Sequence, residues 1–522
     1  MPTSQQGDRP GAGAPGRRGV SRRDFLARSG QGALGLAALS AGGALELGRA
    51  PVAGAAAAPA PVVRPPRFKS APSLAPPHLQ VVDLGIVPAT GLLMTTPSPL
   101  PTGRELTTAE AVDERLGMSG MMISHPNGSL VWFLPEQGFS TNLQVQSYRG
   151  RPVLTYWTGR IDSGIGYGNG YVLDQQYQPV ATVKAGNGLQ ADLHELTLTP
   201  QGTALLTAYR VRAADLSAIG GPAVGQAFES VVQEVDVATG KVLLQWNSLD
   251  HVPVAESYMP MQGKGPQDYF HVNSVALWDA DHLIVSARNT WTVYLVDRRT
   301  GAVVWRLGGK RSDFSFGTGA RFYWQHHVRR LGTAQLTVFD DGAYPPEEPQ
   351  SRGLVLNMDT THRRVALAKA FTHPAKLLTY YEGSVQVLPS GNVFVGWGTE
   401  PYSSEFASSG ELIADYRFPT NDQSYRAFRY PWTATPGEPP AVTLERDEIG
   451  GYALRVSWNG ATEVAQWQVL SGASAATLEP VAVVPKSGFE TAITSHAKGP
   501  YVGVAALDVH GKRLGASVPV KL

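Results

Sequence analysis

An aspartate recurs at a nearly constant interval through the middle of this 522-residue chain, each time at the end of an apolar run. It stands at Asp174 after Val172-Leu173, at Asp236 in Val235-Asp236-Val237-Ala238-Thr239-Gly240 before Trp246, and at Asp297 in Val296-Asp297-Arg298-Arg299-Thr300-Gly301 before Trp305. It returns at Asp359 after Asn357-Met358. The successive intervals are 62, 61 and 62 residues. A period of this size in a strand-and-turn sequence marks stacked β-units, none of which can bury its apolar faces alone. A second phrase, a tight turn entering an apolar strand, falls at Pro126-Asn127-Gly128, Pro200-Gln201-Gly202, Asp279-Ala280-Asp281 and Pro389-Ser390-Gly391. Two strand pairs per period describe a four-stranded unit, and ring closure removes the sheet edges that an open array would expose.

From about Val81 to Pro431 short β-branched and aromatic runs alternate with Gly/Asn/Asp turns, and no amphipathic pattern outlasts three helical turns. About 350 residues at roughly 60 per unit make about six units. The expected fold is therefore all-β, a six-bladed β-propeller over residues 81–435. Trp246, Trp305 and Trp397 read as anchors between blades. Past Pro431 the stiff stretch Pro436-Gly437-Glu438-Pro439-Pro440 leads to alternating strands such as Ala453–Trp458, Val464–Leu470 and Tyr501–Asp508. A Trp in an early strand and a Tyr opening a late one predict a small fibronectin-type β-sandwich over 441–522, joined to the propeller by few contacts.

The N-terminus carries Ser21-Arg22-Arg23-Asp24-Phe25-Leu26 and a Gly/Ala-rich apolar run from about Gly32 to Ala44. This pattern predicts a twin-arginine export signal over residues 1–55 and a Pro/Ala-rich linker over 56–80, with the mature protein extracellular or in the cell envelope and not held by membrane insertion. Forty-four basic residues against forty-three acidic ones leave a formal charge of +1, which offers no field for nucleic acid. With no cysteine, disulfides, thiolate chemistry and Cys-ligated metals are excluded.

A propeller gathers the inner ends of its blades around one channel, so scattered histidines can converge. His194 lies in Asp192-Leu193-His194-Glu195, His271 in Phe270-His271-Val272-Asn273, and Arg288 in Ser286-Ala287-Arg288-Asn289. His326 and His327 follow Tyr323-Trp324-Gln325. Each has an ordinary structural reading: His194 or His271 can bond a turn, and Arg288 can be a solvated strand-end cation. Strand alternation sends one of His326 and His327 inward and the other outward. No His-Glu-x-x-His or closely spaced carboxylate set indicates a metal, and no cofactor is expected.

These phrases, with Leu130-Val131-Trp132, Gln146-Ser147-Tyr148-Arg149-Gly150, Trp305-Arg306-Leu307-Gly308-Gly309-Lys310, Phe339-Asp340-Asp341-Gly342 and Ser424-Tyr425-Arg426, resemble the secreted branch of the arylsulfotransferase family. The resemblance implies a propeller enzyme that moves a sulfuryl group from an aryl sulfate donor to a phenolic acceptor without a nucleotide sulfate. It implies His326 as the histidine that becomes sulfurylated, His271 and Arg288 as the groups that grip sulfuryl oxygens, and His194 as the acid/base or orienting histidine. Asn273, Asn289 and Trp324 would line the substrate pocket. One departure is that His327 stands where the family usually has Asp after the nucleophile. The chemistry suits these side chains: a neutral imidazole can attack sulfur, a second can carry a proton, and a guanidinium fork can hold two oxygens. Two other readings compete. A quinone-dependent dehydrogenase repeats a similar Asp-x-x-Thr-Gly phrase but needs Ca²⁺ and usually eight blades, and a non-catalytic propeller could bind a cell-envelope ligand.

Overall fold

The computed structural model describes residues 64–83, 90–99, 117–419, 422–446, 452–494 and 499–522. The expected export signal lies outside the described residues. Within them the chain is a β-propeller whose antiparallel four-stranded units follow in chain order, the first two joined into one eight-stranded sheet by the pairing of Ala191 with Gly168. One unit comprises Phe139–Tyr148, Arg151–Asp162, Ile165–Leu173 and Pro179–Val183, and the next Ala191–Leu198, Thr203–Ala214, Gly225–Asp236 and Val242–Asn247. Then come Val272–Leu277, His282–Ala287, Thr292–Asp297 and Val303–Gly308. The following unit is His326–Leu331, Gln335–Asp340, Arg352–Asp359 and Arg364–Phe371, and the last consecutive one is Ser384–Val387, Val393–Gly396, Tyr402–Phe406 and Leu412–Arg417.

Both ends of the propeller chain meet in its closure. Phe428–Tyr430 pairs with Leu92–Thr95, which continues through Gly120–Ser124 to Leu130–Pro135, so one sheet draws strands from both ends of the region. Gln80–Asp83 also adds itself to the outer strand Leu412–Arg417. Among the described residues, strands from both ends of the region are thus paired into the ring.

The repeated aspartates explain the period. Asp236 Oδ1 accepts from the Thr239 backbone N–H and hydroxyl, each at 2.7 Å, and Asp297 Oδ1 accepts from the same two groups of Thr300 at 2.7 and 2.8 Å. Each side chain thereby stands in for backbone and closes the hairpin between the third and fourth strands of its unit, with Gly240 and Gly301 taking the left-handed φ of +71° and +73° that ends it. The second phrase forms the hairpin between first and second strands: Pro200-Gln201-Gly202 joins Ala191–Leu198 to Thr203–Ala214, and Asp279-Ala280-Asp281 joins Val272–Leu277 to His282–Ala287.

The apolar residues pack between units. Leu205, Val232 and Trp246 meet Val272, Val275 and Val285 of the next unit, and Val293, Leu295 and Trp305 meet Val328, Leu336 and Val338. Phe339 and Val355 meet Trp397 and Val395, while Phe394 and Ile413 meet Leu93 and Met122 of the closing sheet. Trp246, Trp305 and Trp397 are thus anchors between units, as expected. At the axis Arg426, fully buried, donates to Asn142 Oδ1 at 2.7 Å and to the Asn273 carbonyl at 2.9 Å, and lies 3.4 Å from Glu195 Oε1. Arg329 binds the other oxygen of Glu195 at 2.7 Å.

Beyond Pro440 a three-stranded sheet (Ala441–Arg446, Tyr452–Ser457, Glu490–Thr494) and a five-stranded sheet share one core of Leu454, Val456, Ile493, Trp467, Val469, Val502 and Val504. The expectation that few contacts cross to the propeller does not hold. Asn459 exchanges two 2.9 Å hydrogen bonds with the Phe133 backbone, Tyr177 donates its hydroxyl to the Gly460 carbonyl at 2.9 Å, and Phe489 joins a propeller core cluster against Phe68. The Pro-rich stretch spaces the modules in sequence, but the Asn459 turn docks onto the edge strand Leu130–Pro135.

Two outcomes follow. Asn459→Ala leaves the Phe133 N–H and carbonyl without their partner, and should lower the propeller's stability to denaturant by about 1–3 kcal/mol; a midpoint unchanged from wild type would show that the tail is not docked. Arg426→Met removes a buried ion partner and should cost about 3–5 kcal/mol, read as a fall in Tm. An unaltered Tm would mean that Arg329 alone satisfies Glu195.

Candidate active site

His194, His271 and His326 come from the innermost strands, or their entrances, of three successive units, and one ring nitrogen of each lies within 4.8 Å of the others. The rings of His194 and His271 are edge-to-face with centroids 4.7 Å apart. Sequence distance of more than 130 residues disappears because the first strand of every unit lines the axis. Of the four residues implied as catalytic, the three histidines are brought together, and Arg288 closes one side.

Each histidine is held by a carboxylate. His194 Nδ1 is 2.6 Å from Asp192 Oδ2, an oxygen that also accepts from the Thr207 hydroxyl at 2.9 Å and the His194 backbone N–H at 3.1 Å; Oδ1 accepts from the Gly166 N–H at 2.6 Å. Burial pushes Asp192 up, but its pairing with His194 and the hydrogen bonds from the His194 and Gly166 N–H groups outweigh this and hold the carboxyl below its ordinary value. Asp192 is therefore an acceptor, and the Nδ1 of His194 carries the proton. His271 Nδ1 makes a very short hydrogen bond with Asp268 Oδ2. His326 Nδ1 lies 2.9 Å from Asp341 Oδ2, and its Nε2 accepts the Glu382 backbone N–H at 3.3 Å. Because a backbone N–H can only donate, Nε2 holds the lone pair and the ring proton sits on Nδ1, facing Asp341. In all three rings Nδ1 faces a carboxyl group, so Nε2 is the nitrogen turned away from it, met in His326 by the Glu382 N–H.

Burial favours the neutral form of His194 and His326. It lowers His326 well below the ordinary histidine value, reinforced by the charges of Arg288, His194, His271 and Arg426. His194 is also lowered, burial outweighing Asp192. Asp341 is pushed up by burial against the pull of Arg288. Arg288 itself is buried, which lowers it below the ordinary arginine value, and Asp341 and Asp268 offset only part of this. Its Nη1 donates to Asn289 Oδ1 and its Nη2 to the Tyr380 carbonyl, both at 3.0 Å, its plane lies 4.7 Å from the Trp324 ring, and its Nε is buried with no partner among the described residues.

The residues implied to line the pocket serve the frame. Asn273 donates to the Gln325 carbonyl at 2.6 Å, just before His326, and only its Oδ1 is left without a partner. Asn289 fixes Arg288 and donates to the Asp268 carbonyl at 2.7 Å. Trp324 underlies Arg288 and donates to the Pro345 carbonyl at 3.1 Å. His326 and His327 do diverge: His327 accepts the Val385 N–H at 3.3 Å, packs on Phe428 and stays outside the cluster. The missing Asp after His326 is matched by a carboxylate from the adjacent strand's end, Asp341.

Sequence reasoning missed Asp192, Asp268 and Asp341 as partners, along with the segment Tyr380–Glu382 that covers His326. The first two had a signal, Asp two and three residues before a His; Asp341 stood only in a matching phrase. Backbone φ is positive at His271 (+56°), Trp291 (+53°), Trp324 (+58°) and His327 (+47°), an unusual density of left-handed non-glycine residues around one site.

The chain was compared with known proteins. No curated protein matches it in sequence. Among solved structures it is similar to a protein of unknown function from Bacteroides caccae, at 10% identity over 65% of this chain and 98% of that one with a TM-score of 0.38. It is also similar to the β-propeller domain of Cps50 (Swd1) from Myceliophteria thermophila (12% identity, 63% and 89%, TM-score 0.22). A calcium-binding protein, regucalcin, from Agrobacterium tumefaciens is similar as well (12% identity, 59% and 79%, TM-score 0.29). The arylsulfotransferase (ASST) family model matches residues 144–419, just over half of the chain and the stretch that supplies all three histidines and Arg288. On that match the chain belongs to the arylsulfotransferase family.

Proposed function

We propose that this arylsulfotransferase transfers a sulfuryl group from an aryl sulfate to a phenol by double displacement through a sulfohistidine at His326. The observation that carries this reading is the convergence of three carboxyl-held histidines beside one buried arginine, with His326 held in the tautomer whose Nε2 carries the lone pair, met at rest by the Glu382 N–H. In the first half-reaction the His326 Nε2 lone pair forms a bond to sulfur and the sulfur–aryl oxygen bond breaks, the electron pair leaving with the phenolate. Asp341 takes up the positive charge that the ring acquires. His271 and Arg288 hold the sulfuryl oxygens, whose charge is largest at the transition state. The 3.3 Å bond from Glu382 is long enough to give way to the donor.

His194 handles the proton. Burial keeps it neutral at rest, and the arriving sulfate ester brings an anion that favours its protonation, so that Nε2 can protonate the departing phenolate. In the second half-reaction the acceptor hydroxyl gives its proton to His194 Nε2, its oxygen bonds sulfur, the sulfur–nitrogen bond breaks, and neutral His326 is restored. We read the four-stranded units as six blades around this channel and the tail as a fibronectin-type sandwich, with export by the twin-arginine route to the envelope or medium. The site's donor set of imidazoles and arginine gives the quinone-dependent reading no support.

Two measurements test the mechanism. Donor-treated enzyme without acceptor should gain about 80 Da on His326, the mass of one sulfuryl group held in a covalent intermediate; His326→Ala should lose both adduct and phenol release, and Arg288→Lys should keep charge but fall by at least ~10²-fold. Full activity in His326→Ala would overturn the nucleophile. For His194→Ala, loss of proton donation should cost roughly 10²–10⁴-fold with a donor whose phenol is a poor leaving group, and much less with a nitrophenyl sulfate. Equal losses with both donors would remove His194 from proton transfer.

A further inference from the structure

The three-histidine cluster satisfies the requirements of a second chemistry. Each ring places Nδ1 on a carboxylate, His194 on Asp192, His271 on Asp268 and His326 on Asp341. This carboxylate–histidine pairing fixes the tautomer and raises the basicity of the other nitrogen, as in metal sites. Three ring nitrogens lie within 4.8 Å of one another. A tetrahedral zinc ion with bonds of ~2.0–2.1 Å asks its nitrogens to stand about 3.3 Å apart, so the cluster would contract by up to about 1.5 Å on loading. His271, the least buried of the three and seated at a strand entrance, has the most freedom to move.

We propose that His194, His271 and His326 form a reversible site for a divalent ion of the zinc type, and that its occupancy excludes sulfuryl transfer. The donor set is three imidazole nitrogens with no oxygen ligand, which selects Zn²⁺, Cu²⁺, Ni²⁺ or Co²⁺ over Ca²⁺ and Mg²⁺. Asp192 stands behind His194 as an anion, and Glu195 offsets the nearby charge of Arg426. The fourth position of the ion is left to water or an anion beside Arg288, as in a catalytic rather than a closed structural zinc site. Exclusion follows from electron counting: the His326 Nε2 lone pair that would bond sulfur is the pair that binds the metal. The metal site does not require the transfer reading, since it rests on the same geometry by a different chemistry.

The test uses chelator-treated full-length enzyme and Co²⁺ as a spectroscopic probe. Equilibrium dialysis should show one Co²⁺ per chain at this site, with intense visible bands of four-coordinate cobalt, displaced by Zn²⁺ and unaffected by excess Ca²⁺. His271→Ala should abolish the bands, and the surface variant His282→Ala should keep them. Asp268→Asn retains all three ligands and covers the case of a ligand variant that fails to fold: it should weaken binding by about 10–100-fold. Zn²⁺ should also suppress phenol release from an aryl sulfate, with recovery on chelation. Cobalt binding that is absent, or that survives unchanged in both His271→Ala and Asp268→Asn, would overturn the site. Binding with the expected variants but no aryl sulfate turnover would uphold the metal site and reject the transfer reading, so the two fail separately.

Discussion

The guanidinium of Arg426 sits in the dry axis of the propeller and touches three units at once, through Asn142, Glu195 and the backbone of Asn273. A charge at that depth needs partners: its two terminal nitrogens have them, its Nε has none among the described residues, and Glu195, itself shared with Arg329, supplies the counter-charge. The inner strands that it ties together are those that carry His194 and His271, and Asn273 in turn holds the carbonyl of Gln325 beside His326. The position of the histidine cluster is therefore set from beneath by one buried polar network. Apolar packing between units gives the ring its bulk stability, while this network fixes which side chains face one another across it.

Above the network, the site is a balance between burial and charge. Burial alone would leave uncharged groups, and it does keep His194 and His326 neutral. The carboxylates set the direction of each ring, because an acceptor on Nδ1 leaves Nε2 as the reactive atom. Left-handed backbone at His271, Trp324 and His327 shows the cost of aiming large side chains from strand entrances. Such conformations persist only where the surroundings over-determine them, and here the surroundings are hydrogen bonds from Asp268, Asn273 and Asn289.

Much of the architecture was legible because its punctuation is local. The Asp236 and Asp297 turns bind residues within three positions, so the repeat is visible in the sequence and its meaning follows from turn chemistry. The histidines and Arg288 were found through a resemblance, and their convergence could be expected only from the ring. Asp341 was hidden for a physical reason: it reaches His326 across a hairpin whose register shifts between His326 and Arg329, a bulge that no period announces. The docked tail was misread because a Pro-rich linker signals separation in sequence, whereas Asn459 meets Phe133 from 326 positions away.

The central claim is that His194 and His326 are neutral imidazoles with protons on Nδ1 and lone pairs on Nε2. Long-range ¹H–¹⁵N correlation spectra of enzyme labelled at histidine nitrogens, assigned through single His→Gln variants, measure this directly. At neutral pH in the resting enzyme, His194 and His326 should each show the neutral Nδ1–H pattern, and His326 should keep it as the pH falls through the ordinary histidine range. A charged imidazolium at His326, or the Nε2–H tautomer there, would contradict the account.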